Sequence, residues 1–256
     1  MWEAGHITWC RELVRGLDPF KWPKGLRGAA IGAMGAEYDD KSCFPVAWRA
    51  MRGSGGVATE TFIEHKDEIL GIFGARLWPE ASVTDQRERM KGAMNALDND
   101  GGLSAWSKKH PSTRAKSLAG MKEQLSTRGV VFAPSQYKKE QEAGTQQAMR
   151  ESSRALQYLA LLKHGGGETP AGARKRRTTL KSYMLQEAEA ASREAKLSWC
   201  QQAGIRVVSL QHDGIVAMVV AGEACDHAAQ GMAKVATAAC GYKVKVIPKR
   251  ASIVVN

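Results

Sequence analysis

Cysteine is scarce in this sequence and poorly spaced for cross-linking. Cys10, Cys43, Cys200, Cys225 and Cys240 are odd in number and form no Cys-x-x-Cys pair. That argues against a disulfide framework and against a zinc centre, leaving reduced thiols that serve mostly as packing residues. Long apolar runs are missing too. None approaches the length of a membrane span, and acidic Glu3 precedes any basic residue, unlike the start of a signal peptide. A soluble intracellular protein is therefore expected. There is no internal repeat and no long low-complexity tract. Gly28, Gly32 and Gly35 lack the spacing of a dinucleotide-binding fingerprint.

What remains is a chain of 256 residues, 43% hydrophobic and 25% charged, enough for one large domain or two small ones with a real core. Its net charge of +11 is unevenly spread. Residues 1–100 carry 13 Lys and Arg against 15 Asp and Glu, residues 101–200 carry 18 against 8, and residues 201–256 carry 6 against 3. A basic block confined to the middle of a chain points to a polyanion, with nucleic acid or an anionic membrane surface as the two usual partners.

Local patterns give a coarse element order. Ala36 to Pro45 reads as a short strand ending in the acidic pair Asp39 and Asp40. Thr61 and Glu64 have capping-box spacing, and Ile63, Leu70 and Phe73 predict a helix to about Gly74. Ser82 and Asp85 open a second helix with an apolar stripe of Met90, Met94 and Leu97. Arg87, Lys91 and Asn95, each four apart, lie on a neighbouring face, and Asp98 to Gly102 ends the helix. Further helices are expected at about 145–163, stopped by Gly165 to Gly167, and at about 179–202, preceded by the tetrabasic Arg174 to Arg177 and closed by Gly204. Residues 205–211 and 215–220 are β-branched runs separated by His212, Asp213 and Gly214, a hairpin signal; 242–247 and 252–255 are two more candidate strands.

Two carboxylate positions suit hard-cation chemistry. Asp39 at a strand end and Asp213 at a hairpin tip would be held by backbone geometry with their heads free, as Mg²⁺ requires. Two such groups brought together could hold a metal pair for phosphoryl transfer. An isolated His-Asp-Gly is also ordinary turn chemistry. Arg87 offers a rigid fork for phosphate oxygens and Lys91 a mobile charge one turn later, or the two lie on a solvated helix face. Lys108, Lys109, Arg114, Lys116, Lys122, Lys138 and Lys139 would neutralise backbone phosphates without reading sequence, or form a basic surface loop with no fixed partner.

In this order the pieces resemble the palm and fingers of family A (DNA polymerase I-like) nucleotidyltransferases, especially the shortened viral and mobile-element forms. SLQHDGIVAM, Ser209 to Met218, is similar to their motif C. The resemblance implies that Asp213 is a metal ligand and that His212 sits beside the primer end. DDKSCFP, Asp39 to Pro45, is similar to motif A in the Asp-x-x-Ser-x-aromatic-Pro form of virus- and plasmid-type enzymes. It implies Asp39 as metal ligand, with Asp40 as a substitute, and Phe44 as the steric gate against a ribose 2′-hydroxyl. Arg87, Lys91 and Asn95 follow motif B, with Asn95 replacing the usual aromatic; Arg150, Arg154 and Tyr158 are a rival set with the same spacing. TLKSYMLQEAE, Thr179 to Glu189, resembles the polar helix before motif C, placing Ser182 and Gln186 near template or primer. Gly214 stands where the family has a glutamate.

The resemblance implies an α+β fold, a polymerase-type palm with an antiparallel sheet, flanking helices and small helical fingers. Residues 1–56 would form the first part of the palm, 57–107 the fingers, 108–178 a basic helical insertion able to grip DNA, and 179–256 the second part of the palm. The implied function is a template-dependent DNA polymerase core that uses two Mg²⁺ ions, replaceable by Mn²⁺. Its implied partners are primer–template DNA and dNTPs, with no membrane, and an accessory protein that would supply a thumb or processivity. No exonuclease domain and no clear thumb is visible. Two rival functions are a metal-dependent nuclease, built on Asp39, Asp40 and Lys41, and a non-catalytic nucleic-acid-binding remnant of a polymerase.

Overall fold

The computed structural model describes residues 35–53, 56–100, 125–127, 130–161, 170–210, 214–218 and 223–249. They divide into two compact units, residues 1–43 with 187–256, and residues 44–186. Architecture is mixed, helices with antiparallel sheet, as the sequence led us to expect. No helix among the described residues is long and apolar enough to cross a membrane.

The first unit is built on a four-stranded antiparallel sheet. Strands β1 (Ala36–Asp40), β4 (Val207–Leu210), β5 (Gly214–Ala217) and β6 (Val246–Lys249) lie in the order β4-β5-β1-β6. The 187–202 part of helix α6 (Pro170–Gln202) and helix α7 (Glu223–Cys240) belong to this unit. On α7, Cys225, Ala228, Ala229, Met232 and Ala236 recur at helical spacing and share one buried cluster with Ala36, Tyr38, Ile215 and Ala217 of the sheet. Small side chains let helices approach closely. Gly231 shows how closely, because a Cβ there would run into the indole ring of Trp199 on α6.

In the second unit, helices α2 (Val57–Leu77) and α3 (Val83–Asp98) pack on each other and on α4 (Pro134–Glu151), and α2 also packs against β3 (Val130–Phe132), which forms a hairpin with β2 (Leu125–Thr127). Phe62, Phe73, Phe132 and Tyr137 meet in its core, with Phe62 edge-on to Tyr137 at 5.1 Å between ring centroids. Such pairs contribute about 0.5–1.5 kcal/mol beyond their burial. The α3 stripe of Met90, Met94 and Leu97 is buried, and Ser82 caps the helix by accepting from the Asp85 N–H at 3.2 Å, both as predicted. Helices α1 (Cys43–Met51) and α5 (Ser153–Leu161) complete the described elements.

Some expected boundaries are corrected. Helix α2 begins at Val57, so Thr61 is interior and its hydroxyl donates to the Val57 carbonyl rather than capping. The cap comes from α4, where Glu140 accepts from the N–H groups of Ala58 and Thr59 and from the Thr59 hydroxyl. A carboxylate at a helix N-terminus satisfies orphan donors and complements the helix dipole. The helix expected at 145–163 is two helices, α4 and α5, separated at Ser152, whose extended backbone (ψ 117°) breaks the ladder. Helix α6 starts at Pro170, so the tetrabasic run lies inside it. The expected strand at 242–247 is shifted to 246–249, and the one expected at 252–255 lies outside the described residues.

Within the second unit, a buried polar network anchors the 170–186 part of α6. Lys181 is wholly buried, donating to Asp100 Oδ1 at 3.1 Å and Gln141 Oε1 at 3.0 Å, with its ammonium 4.9 Å from the Trp48 ring centroid. Beside it the Tyr137 hydroxyl donates to Asp98. Burial raises the pKa of Asp98 and of Tyr137 and lowers that of Lys181.

Candidate functional site

Strand β1 ends in two carboxylates with opposite surroundings. Successive strand side chains point to opposite faces, so Asp40 joins Ala36 and Tyr38 on the buried face while Asp39 lies with Glu37 on the other. Asp40 accepts from Ser192 Oγ at 2.6 Å and from the fully buried Lys196 Nζ at 2.7 Å. These two donors are four apart on α6, hence on one face of that helix. With this internal pairing, Asp40 holds the strand to the helix.

Asp39 is arranged differently. Its Oδ2 accepts from the Lys249 ammonium on β6, whereas its Oδ1 is buried and has no hydrogen-bond partner among the described residues. Leaving a buried acceptor unpaired costs about 1–3 kcal/mol, more for a charged group. The Cα partner of Asp39 on β5 is Gly214, the residue that follows Asp213 in the chain. A Cβ on Gly214 would run into Asp39 Oδ1 and lie 3.0 Å from the Tyr38 carbonyl oxygen, so the absence of a side chain there makes room for the carboxylate. An anionic oxygen that is buried and unpaired suits a hard cation with oxygen ligands, and in this respect Asp39 fits Mg²⁺. Among the described residues no three His, Cys, Asp or Glu side chains converge as a metal site. His212 and Asp213 lie outside the described residues.

The other sequence candidates belong to the second unit. Phe44 stands in the first turn of α1 and is partly buried. Arg87 on α3 donates to the Asp67 carbonyl at 2.7 Å and to the Asp67 carboxylate at 2.5 Å, which occupies its fork. Lys91, one turn on, is exposed, as is Asn95, whose carbonyl accepts from the Asn99 side chain at 2.8 Å. On α6 the Gln186 amide donates to Ser182 Oγ at 3.1 Å. The rival set does not share one helix, because Arg150 lies in the last turn of α4 while Arg154 and Tyr158 belong to α5; Tyr158 instead lies 5.7 Å from Tyr183 between ring centroids. Of the basic block, Lys138 pairs with Glu142 at 3.2 Å and Lys139 is exposed. Lys108, Lys109, Arg114, Lys116 and Lys122 lie outside the described residues.

Sequence reasoning missed Glu37, Ser192, Lys196 and Lys249. Strand periodicity could have placed Glu37 beside Asp39, two residues away on the same face. Lys249 had no local signal, since its position depends on the pairing of β6 with β1.

No family model matches the chain, and no curated protein matches it. Among solved structures it is similar to the POL domain of Pol1 from M. smegmatis, in complex with DNA primer-template and dNTP. The TM-score is 0.51 at 12% sequence identity, covering 85% of this chain and 39% of that one. The chain thus spans well under half the length of its structural neighbour. With helices around an antiparallel sheet and this similarity, the chain has a DNA polymerase-like fold.

Proposed function

We propose that the chain is the catalytic core of a template-dependent DNA polymerase, adding dNTPs to a primer 3′-hydroxyl. The observation that carries this reading is the unpaired, buried Oδ1 of Asp39, at a strand end opposite Gly214 of the motif C-like hairpin. Asp39 and Asp213 would hold Mg²⁺, with Mn²⁺ as a substitute. Such ions supply Lewis-acid stabilisation of the charge on a transferring phosphoryl group. Asp40 is the weaker candidate for this role, because Ser192 and Lys196 already donate to its two oxygens.

The remaining roles follow the sequence motifs. Exposed Lys91 would neutralise the triphosphate, joined by Arg87 once it releases Asp67, with Asn95 on the same helix. Phe44 would exclude a ribose 2′-hydroxyl, His212 would attend the primer end, and Ser182 and Gln186 would touch template or primer. Residues 1–56 and 179–256 would form the palm, 57–107 the fingers and 108–178 a basic DNA grip. The neighbouring polymerase domain's DNA primer-template and dNTP are the partners this reading assigns.

Extension of a labelled primer–template with Mg²⁺ and dNTPs tests the proposal. Asp39→Asn and Asp213→Asn are each expected to lose about a hundredfold or more in rate, since each removes metal-borne charge stabilisation worth several kcal/mol. If both variants extend as well as the unmodified protein, the assignment is wrong. Shortening of the DNA with Mg²⁺ and no dNTPs would favour the nuclease, and salt-sensitive DNA binding without either activity would favour a non-catalytic remnant.

A further inference from the structure

The register that presents Asp39 also brings a cation to it. Lys249 on β6 is the cross-strand partner of Glu37. Its ammonium donates to Asp39 Oδ2 and lies 3.6 Å from Glu37 Oε1. Glu37 and Asp39 share one face of β1, so a single lysine serves both carboxylates. The three groups differ in freedom. The Lys249 side chain is 54% exposed, whereas those of Glu37 and Asp39 are 19% and 16% exposed. The carboxylates are fixed by the strand, and the lysine, a flexible stem with a strongly hydrated head, can leave for water with little loss.

We propose that Lys249 is an internal counter-cation of the Asp39 site, competing with a divalent ion for Asp39 and withdrawing onto Glu37 when the ion binds. This rests on the reading of Asp39 as a metal ligand. Without a metal, Lys249 offsets the repulsion between two carboxylates on one face. A divalent ion brings twice the charge to the same oxygens and also satisfies Oδ1, which Lys249 leaves unpaired. Glu37 gives the displaced ammonium a second partner, so the lysine stays near the site. Lys249 thereby sets a threshold of metal concentration below which Asp39 is held by the protein's own cation.

Binding of Mn²⁺ alone to the full chain, followed by electron paramagnetic resonance of the free ion without DNA or nucleotide, tests this directly. Lys249→Met is expected to bind Mn²⁺ about three- to tenfold more tightly than the unmodified protein, the range set by losing one exposed competing ion pair and its charge repulsion. Lys249→Gln must move in the same direction. Lys249→Arg keeps the charge and should stay within about twofold, as should Lys245→Met, an exposed lysine on which water and salt screen the charge. Unchanged affinity in both Lys249→Met and Lys249→Gln, with binding lost in Asp39→Asn, would overturn the inference and leave the metal site standing. A gain in Lys245→Met equal to that in Lys249→Met would also overturn it, because the effect would then be general charge. Unchanged binding in Asp39→Asn would overturn the site reading itself, and this inference with it.

Discussion

Gly214 faces Asp39 across β1 and β5, and the Asp39 carboxylate occupies the space where a side chain on residue 214 would begin. The family that the motifs resemble has a glutamate here. In this chain the two cannot coexist without movement of Asp39, because the Tyr38 carbonyl closes the other side. Gly214→Ala is therefore expected to destabilise the protein by about 1–3 kcal/mol, the usual cost of overpacking, and to displace Asp39. Urea unfolding should show the loss, and Mn²⁺ affinity should fall with it. Gly214→Glu restores the family's residue but should extend primers no better than the unmodified chain. Full stability in Gly214→Ala would show that Asp39 does not depend on this gap.

Lys196 and Asp40 form a buried ion pair at 2.7 Å, completed by Ser192. Removing one partner of such a pair strands the other charge away from water. Lys196→Met should therefore cost about 3–5 kcal/mol in urea unfolding, whereas replacing both partners with apolar residues of similar volume is often neutral. Asp40→Leu combined with Lys196→Met is accordingly expected to recover most of the loss. The double variant should still bind Mn²⁺ through Asp39, since Asp40 lies on the opposite face of the strand. Loss of metal binding in a stable double variant would return Asp40 to the list of ligands.

Elements whose signals are local were legible in the sequence. The strand ending in Asp39 and Asp40, the Ser82 cap, the stripe of α3 and the hairpin strands β4 and β5 all depend on neighbours a few residues away. Features made by distant partners were not. Helix α2 starts four residues before Thr61 because Glu140, about eighty residues along the chain, caps it. Helix α7 has a buried stripe dominated by alanine and cysteine, which differs too little from its polar face for periodicity to stand out. At the candidate site, alternation alone required Asp39 and Asp40 to face opposite ways. Which one would remain available was decided by Ser192 and Lys196 on α6 and by the register of β6, neither of which a motif records.

The first unit carries a cluster of acidic protons that folding retains at high pH. Burial pushes the Cys200 thiol from its usual 9.0 up to about 11, and it also raises Cys240, Tyr38 and Tyr242. Cys225 beside Tyr38, and Cys240 and Cys43 beside Tyr242, add to the rise. For each group the folded pKa exceeds the unfolded one, so between the two values the folded chain binds more protons. Stability from these groups is complete below the unfolded pKa and is lost as pH climbs through the folded one. For Cys200 the window runs from pH 9.0 to about 11, and the two tyrosines extend the decline beyond it. Lys181 in the second unit acts with the opposite sign, since burial lowers its pKa and stability through that group grows as pH rises towards 10.5. One such group opposes five, since burial raises Tyr137 of the second unit as well, so the urea midpoint is expected to fall from pH 9 to 11, with Tyr38, Tyr137 and Tyr242 ionising only as the chain unfolds. Cys200→Ala and Tyr242→Phe should each make the fall shallower. A midpoint that stays level across that range, or ionisation of Tyr38 and Tyr242 in the folded protein near pH 10, would show that these groups remain in contact with water.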